Sequence, residues 1–261
     1  MNAAEPIVGP VALVTGVSRL RGIAAAVVRK LARSGWNIAM TGWPPYDETF
    51  SWGADPGAPE QLLSEITGSG TRGIYIPADL SVASAAGDLF DRASEALGAV
   101  SALIVVHTYD PGGGLFATTP DEFDRHMAIN PRATLLLAAE FARRYSGPPG
   151  LGRIVTFTSG LPLKGSIAYA ASKGAIEWIT TSAAAELAPR GITANAVNPG
   201  PNDTGWMDDD LLAWTAEQSP PGRAGTPEDA AELVAFLCSS HSSWITGQVL
   251  NSDGGWSRLR V

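Results

Sequence analysis

The chain has 261 residues, of which 45% are hydrophobic and 17% charged, and it carries a net charge of −8. That length and apolar content suit one large α/β domain with a sizeable core. No Lys/Arg-rich run appears and no apolar stretch reaches ~18 residues, which argues against nucleic acid and membrane as partners.

Cys238 is the only cysteine, so no intrachain disulfide is expected. Residues 1–10 lack the basic and long apolar segments of a secretory signal. The expectation is therefore a soluble cytoplasmic protein.

Short apolar runs alternate with helical patterns along the whole chain. A buried-type strand at 11–15 precedes a helix at 23–34, and a second strand at 36–41 leads into a polar, Pro- and Trp-rich loop at 42–57. A helix at 59–68, a strand at 73–76, a helix at 83–97 and a strand at 102–106 follow, then a Gly-rich loop at 111–114. One long helical pattern covers 121–145 and ends at Gly147-Pro148-Pro149-Gly150. Pro131 lies inside it and predicts a kink at Asn130, because proline cannot bond the carbonyl of Met127. Beyond it come a strand at 153–158, a helix at 167–188 and a strand at 193–197. A loop with a short helix near 209–217, a helix at 227–239 and a strand at 248–251 close the chain. This alternation predicts a doubly wound, mainly parallel, seven-stranded sheet with helices on both faces, as a single domain over 1–261. Five of the tryptophans, Trp43, Trp52, Trp206, Trp214 and Trp256, fall in expected loops. There they line a pocket or a subunit contact as readily as they pack beneath loops.

Two patterns carry chemistry. The first strand passes through Thr15-Gly16-Val17-Ser18-Arg19-Leu20-Arg21-Gly22-Ile23-Ala24 into a helix. A glycine-rich turn there lets backbone approach a pyrophosphate, and the helix N-terminus supplies donors and a favourable dipole. Further on, Tyr169 and Lys173 stand four apart in an expected helix and share a face. An ammonium beside a phenol is expected to pull the phenol below its usual value of about 10, giving a general acid–base group for a carbonyl or alcohol.

On these residues the chain resembles the short-chain dehydrogenase/reductase family, and its longer glycine turn is similar to that of the 3-oxoacyl-[acyl-carrier-protein] reductase-like branch. The family motif is Thr-Gly-x-x-x-Gly-x-Gly. Here two extra residues separate Gly16 from Gly22, and Ala24 holds the third glycine position. The resemblance covers about residues 9–256 and implies a Rossmann fold that binds a nicotinamide dinucleotide. It implies contacts from Gly16, Ser18, Arg19, Gly22 and Ile23 at the turn, and from Asp79 and Leu80 after the third strand. Asp79 reads equally as a helix cap. At the nicotinamide end it implies Tyr169, Lys173, Pro199, Gly200 and Thr204. The second strand ends Thr41-Gly42-Trp43 without an acid, and Arg19 or Arg21 suits a 2′-phosphate; together these favour NADP(H) over NAD(H).

The family tetrad is matched in order by Asn130, Ser159, Tyr169 and Lys173. By resemblance, Tyr169 exchanges a proton with the substrate oxygen, Lys173 tunes it and holds the ribose, Ser159 binds the substrate oxygen, and Asn130 holds a relay water. Ser159 lies ten residues before Tyr169 where the family places thirteen; a shortened loop at 160–166 accounts for it, with Thr158 and Ser166 as substitutes and Thr156 at the family spacing. Val105-Val106-His107-Thr108 replaces the family's Asn-Asn-Ala-Gly, so bracing of the sheet is expected from apolar packing, with His107 a structural histidine more than a second titrating group. The segment 201–225 corresponds to a substrate lid, and a homo-oligomer (dimer or tetramer) is implied. The function expected is hydride transfer between a nicotinamide and a ketone or secondary alcohol; the alternative is a non-catalytic dinucleotide-binding sensor or scaffold.

Overall fold

The computed structural model describes residues 9–50, 53–68, 70–160 and 165–258. Trp52 and most of the shortened loop before Tyr169 lie outside them. In chain order the elements are β1 (Val11–Thr15), α1 (Ile23–Arg33), β2 (Asn37–Thr41), α2 (Pro44–Asp47), α3 (Ala58–Thr67), β3 (Gly73–Tyr75), α4 (Ala85–Leu97) and β4 (Val100–Val105). They continue with α5 (Pro120–Met127), α6 (Ala133–Arg144), β5 (Gly152–Phe157), α7 (Ile167–Leu187), β6 (Ile192–Asn198), α8 (Asp209–Gln218), α9 (Pro227–Cys238) and β7 (Val249–Asn251). A π-helical turn, Ala128–Arg132, joins α5 to α6.

The seven strands form one sheet in the order β3-β2-β1-β4-β5-β6-β7, and every neighbouring pair is parallel. The order reverses between β1 and β4, so their C-terminal ends splay apart into a crevice. Side chains alternate across the sheet, as a pleated strand requires. Ala12 and Val14 of β1 join a core with Val27 and Leu31 of α1 and Val234 of α9. Val11 and Leu13 join the opposite core with Leu89 of α4, Leu137 of α6 and Leu187 of α7. Both faces are therefore covered, which explains why the strands read as continuous apolar runs.

Two segments differ from the sequence expectation. The loop after β2 contains α2, because Pro44 and Pro45 preset the helical φ at its first positions. The long helix expected over 121–145 runs from Pro120 to Arg144 and carries a π-helical turn around Pro131. The chain re-enters α6 through the π turn, where the carbonyl of Ile129 is taken by the His107 ring and that of Asn130 by the Thr134 hydroxyl, at 2.9 and 2.7 Å.

Candidate active site

The crevice holds a cavity of about 950 Å3. Its floor is the β1–α1 turn: Gly16, Ser18, Arg19, Gly22, Ile23 and Ala24 all line it. Gly16 has φ +79°, and a Cβ there would stand 2.7 Å from the backbone nitrogen of His107, so only glycine lets β1 pass the end of β4 this closely. The N-terminus of α1 has Gly22 as its cap residue, no side-chain cap and no acidic residue in its first turn. Its first N–H groups are thus left for a ligand, and the helix dipole favours an anion. This chemistry fits the pyrophosphate of a dinucleotide.

Asp79 and Leu80 line the same cavity. The Asp79 carboxylate accepts from the backbone N–H of Ser81 at 2.8 Å, so it fixes the turn after β3 and does not cap α4, whose cap residue is Ser84. Arg19 reaches the cavity. Arg21 instead pairs with Asp203 at 3.1 Å.

One acid was missed in the sequence. Asp47 sits in the cavity wall, buried, one turn after the end of β2. Burial raises its pKa, while a hydrogen bond from Ser18 and the charge of Arg19 oppose the rise. The available signal was Pro44-Pro45, which starts a helix and swings the acid back toward the turn. Trp43, Tyr46 and Phe50 complete this wall.

Tyr169, Lys173, Ser159, Asn130, Pro199 and Gly200 do not line the cavity; Thr204 does. Tyr169 borders it through a hydrogen bond with the side chain of Thr108, which is part of the lining. Lys173 is buried, donates to the carbonyl of Phe157 at 3.0 Å, and has its Nζ 5.5 Å from the centre of the Tyr169 ring. The ammonium therefore lies over the phenol ring. Burial pushes the Tyr169 phenol up, the charge of Asp110 adds to the rise, and the bond with Thr108 opposes it. Lys173 is brought down to about 8 by burial, with Asp110 working against the fall.

The hydroxyls near Tyr169 sort clearly. Thr156 bonds Thr180 of α7 at 2.8 Å, and Thr158 donates to Glu177 at 2.7 Å and to the carbonyl of Lys173 at 3.2 Å. Both are committed to holding α7 on the sheet. Ser159 follows, half-buried beyond the end of β5. A Cβ on its neighbour Gly160 would lie 2.3 Å from the Asn198 amide, so this backbone is pressed against the Asn198–Gly200 turn. Ser166 precedes the first residue of α7 and bridges to Gly113.

The Asn130 side-chain amide is held by the protein. Its side chain accepts from the N–H of Tyr109 at 2.7 Å, and donates to the carbonyl of Tyr109 and the hydroxyl of Ser172, both at 2.9 Å. It ties the strand β4 extension to α7, one residue from the fourth position of the broken family motif. The brace expected from apolar packing is polar instead. The Thr15 hydroxyl accepts from the N–H groups of Val106 and His107 at 3.1 and 3.3 Å, and pairs with His107 Nδ1 at 2.8 Å. His107 Nε2 meets the carbonyl of Ile129 at 2.9 Å. A carbonyl only accepts, so Nε2 carries the proton and Nδ1 accepts from Thr15. Burial lowers the His107 pKa to about 4, with the Ile129 bond opposing and Lys173 assisting. His107 is a neutral structural histidine.

Downstream, Asn198 accepts from the N–H of Gly200 at 3.2 Å, and Gly200 packs on Asp253 so closely that a Cβ would come within 2.5 Å of its Cβ. In 201–225, Asp208 caps α8 by accepting from Leu211 at 2.8 Å, and Asp209 and Asp210 occupy the first turn, where the dipole favours negative charge. Trp206 donates to the carbonyl of Asn202 at 3.2 Å, and Trp214 stacks edge-on to Trp256 with centroids 5.8 Å apart. No helix among the described residues is long and apolar enough to cross a membrane.

A doubly wound parallel sheet, an anion-ready β1–α1 turn at its switch point and a Tyr–Lys pair at the cavity edge define a nicotinamide-dependent oxidoreductase. Residues 16–257 match the family described as enoyl-(acyl carrier protein) reductase. The chain belongs to the short-chain dehydrogenase/reductase family. It is 41% identical over 252 residues to an uncharacterised oxidoreductase of Bacillus subtilis, covering 95% of this chain and 97% of that one. It is 36% identical to an NADPH-dependent aldehyde reductase-like chloroplastic protein of Arabidopsis thaliana, covering 96% and 95%. A short-chain dehydrogenase of Burkholderia cenocepacia, solved in complex with NADP, superposes with a TM-score of 0.85 at 32% identity, covering 96% and 99%.

Proposed function

We propose that this protein is an NADP(H)-dependent reductase of ketones, with Tyr169 as the proton donor. The observation that carries the reading is Tyr169 itself: a phenol kept neutral by burial, hydrogen-bonded to a cavity residue and placed beside Lys173. A neutral phenol is the form that gives a proton to a carbonyl oxygen.

The groups present fit a dinucleotide lying along the cavity. Gly16, Ser18, Gly22 and Ile23 would hold its pyrophosphate, Asp79 and Leu80 its adenine, and Arg19 a 2′-phosphate. Tyr169, Lys173, Pro199, Gly200 and Thr204 would hold its nicotinamide end. When bound, the cofactor supplies the hydride. The protein's own part is to fix the carbonyl and deliver the proton. Ser159 is assigned to the substrate oxygen, because Thr156 and Thr158 are spent on α7. Tyr169 donates its phenolic proton to that oxygen. Lys173, near 8, then favours the phenolate until solvent restores the proton. Asn130 keeps the Tyr109 backbone and Ser172 in register beneath the pair; a relay water at its carbonyl is part of the same reading. The segment 201–225 acts as the substrate lid.

Purified protein assayed with NADPH on a ketone panel is expected to turn over, and Tyr169→Phe to lose about 10²–10⁴-fold in kcat while retaining NADPH binding by fluorescence. Undiminished turnover in Tyr169→Phe defeats the mechanism. NADPH binding with no turnover on any ketone favours the alternative, a dinucleotide-binding sensor or scaffold.

We also propose a homo-oligomer, a dimer or tetramer. Trp178 on α7 is 77% exposed and Trp244, before β7, 98% exposed; tryptophans this bare suit subunit contacts. Light scattering that reads a monomer at micromolar concentration would refute this.

A further inference from the structure

The turn from Gly16 to Gly22 is two residues longer than the family motif, and its two arginines diverge. Arg19 lines the cavity. Arg21 turns outward, and its Nη2 donates to Asp203 Oδ2 at 3.1 Å, joining the turn to a segment 182 positions further on. Arg21 stands between the lining residues Arg19 and Gly22, and Asp203 precedes the lining residue Thr204. The pair therefore bridges the rim of the crevice beside the N-terminus of α1.

Asp203 is held ready for this contact. Its Oδ1 accepts from the N–H of Gly205 at 2.9 Å, which leaves Oδ2 for the guanidinium. Its own N–H donates to the carbonyl of Gly225 at 2.9 Å, and the N–H of Gly225 donates to the carbonyl of Pro201 at 3.0 Å. With the bridge between Asn202 and Gly225, these bonds close a neck through which residues 203–224 leave and return. The far side of the neck is fixed to α9, where Arg223 grips Asp229 with bonds of 2.6 and 2.9 Å. The near side is fixed to the glycine turn by Arg21. Gly205 completes the contact. At φ +84° its backbone passes so close that a Cβ would stand 3.3 Å from Arg19 Nη2 and 3.5 Å from Arg21 Cζ.

We propose that Arg21 and Asp203 form a clasp that holds the neck of the 201–225 segment against the glycine turn, so that a bound dinucleotide leaves the crevice only when the clasp opens. Arg21 is thus a positioning residue: it acts on the cofactor through Asp203 and not by gripping a phosphate. This role rests on the reading of the crevice as a dinucleotide site. The two side chains are 67% and 27% exposed. An exposed pair adds little to global stability. Opening of the rim, however, is a local event with a small free energy of its own, and there one contact alters a rate measurably. The sign of the effect separates two roles. An acid beside an anionic cofactor repels it, so by charge alone the loss of the Asp203 carboxylate slows release. Loss of a clasp speeds it.

Asp203→Asn keeps a carbonyl for the N–H of Gly205 and removes only the charge; Arg21→Gln removes the partner. Release of NADPH, displaced by excess NADP+ in stopped-flow fluorescence, is expected to be roughly two- to fivefold faster in each variant than in the wild type. The double variant should release no faster than either single one, because both changes break the same contact. In cofactor-free protein, amide hydrogen exchange over 201–208 should quicken in both variants, while exchange over α9 stays as in the wild type. Release that is slowed or unchanged in Asp203→Asn overturns the clasp, as does a double variant whose effect is the product of the single ones. Unaltered exchange over 201–208 in both variants overturns it as well. A wild-type protein that binds neither NADPH nor NADH would count against the dinucleotide reading alone, and the exchange measurement would still decide whether Arg21 and Asp203 hold the neck.

Discussion

Thr15 and His107 bind each other at 2.8 Å across the switch point between β1 and β4, under the glycine turn that bounds the cavity. The pair works only with a neutral imidazole, because Nδ1 must accept from the Thr15 hydroxyl. In the fold His107 protonates near pH 4, whereas an unfolded histidine does so near 6.5. Between those values the unfolded chain holds more protons, so stability falls as the pH drops through that window and is regained above it. The contribution is on the order of 2–3 kcal/mol. Urea midpoints at pH 7.5 and pH 5 should therefore differ less in His107→Asn than in the wild type. Equal pH sensitivity in the two proteins would show that His107 is not the group responsible.

The same brace shows how far the sequence could be read. The seven strands and their parallel sense were legible because each buried strand is an apolar run bounded by turn residues, and Tyr169 and Lys173 were legible because helical spacing alone puts them together. Polar substitutes are harder to see. His107 replaces a bracing asparagine by bonding Thr15, 92 positions away, and Ile129, and no local pattern announces either partner. Pro131 announced a kink, but the π turn also depends on the His107 ring drawing out the Ile129 carbonyl. The surroundings of the Tyr169–Lys173 pair were hidden for a similar reason. Spacing places Lys173 on the same helix face, yet the carbonyl of Phe157 decides where the ammonium points.

Arg19 and Asp47 share the cavity lining, and on the proposed reading cofactor choice turns on them. Arg19 is expected to favour a 2′-phosphate, and the Asp47 carboxylate to oppose it. A charge-assisted contact of this kind is worth roughly tenfold in affinity. Arg19→Ala should therefore weaken NADPH by about that factor and leave NADH nearly unchanged, while Asp47→Asn should tighten NADPH. Fluorescence titration with both cofactors measures this directly. An equal loss for NADPH and NADH in Arg19→Ala would mean that Arg19 serves the shared pyrophosphate and does not read the 2′ position.

Arg153 is 1% exposed inside the sheet, and no acid pairs with it among the described residues. Its guanidinium is satisfied by carbonyls instead: Gly150 at 2.8 Å, Gly152 at 3.0 Å and Ser239, just past α9, at 3.0 Å. One side chain thus fastens the start of β5 to the C-terminal end of α9, where the helix dipole favours a cation. Nε has no partner among the described residues, and burial lowers the pKa, so the site already bears a desolvation cost. Removing the guanidinium takes a donor from each of these carbonyls, of which Ser239 still accepts from the Ser242 hydroxyl at 3.1 Å; a buried acceptor left orphaned costs about 1–3 kcal/mol. Arg153→Met keeps much of the volume and removes the donors. It is expected to lower stability by about 2–4 kcal/mol in urea unfolding. Because Arg153 lies at the opposite end of β5 from Ser159, NADPH affinity should be unchanged in the folded variant. A loss of NADPH affinity in a stably folded Arg153→Met protein would show that the β5–α9 anchor also governs the crevice.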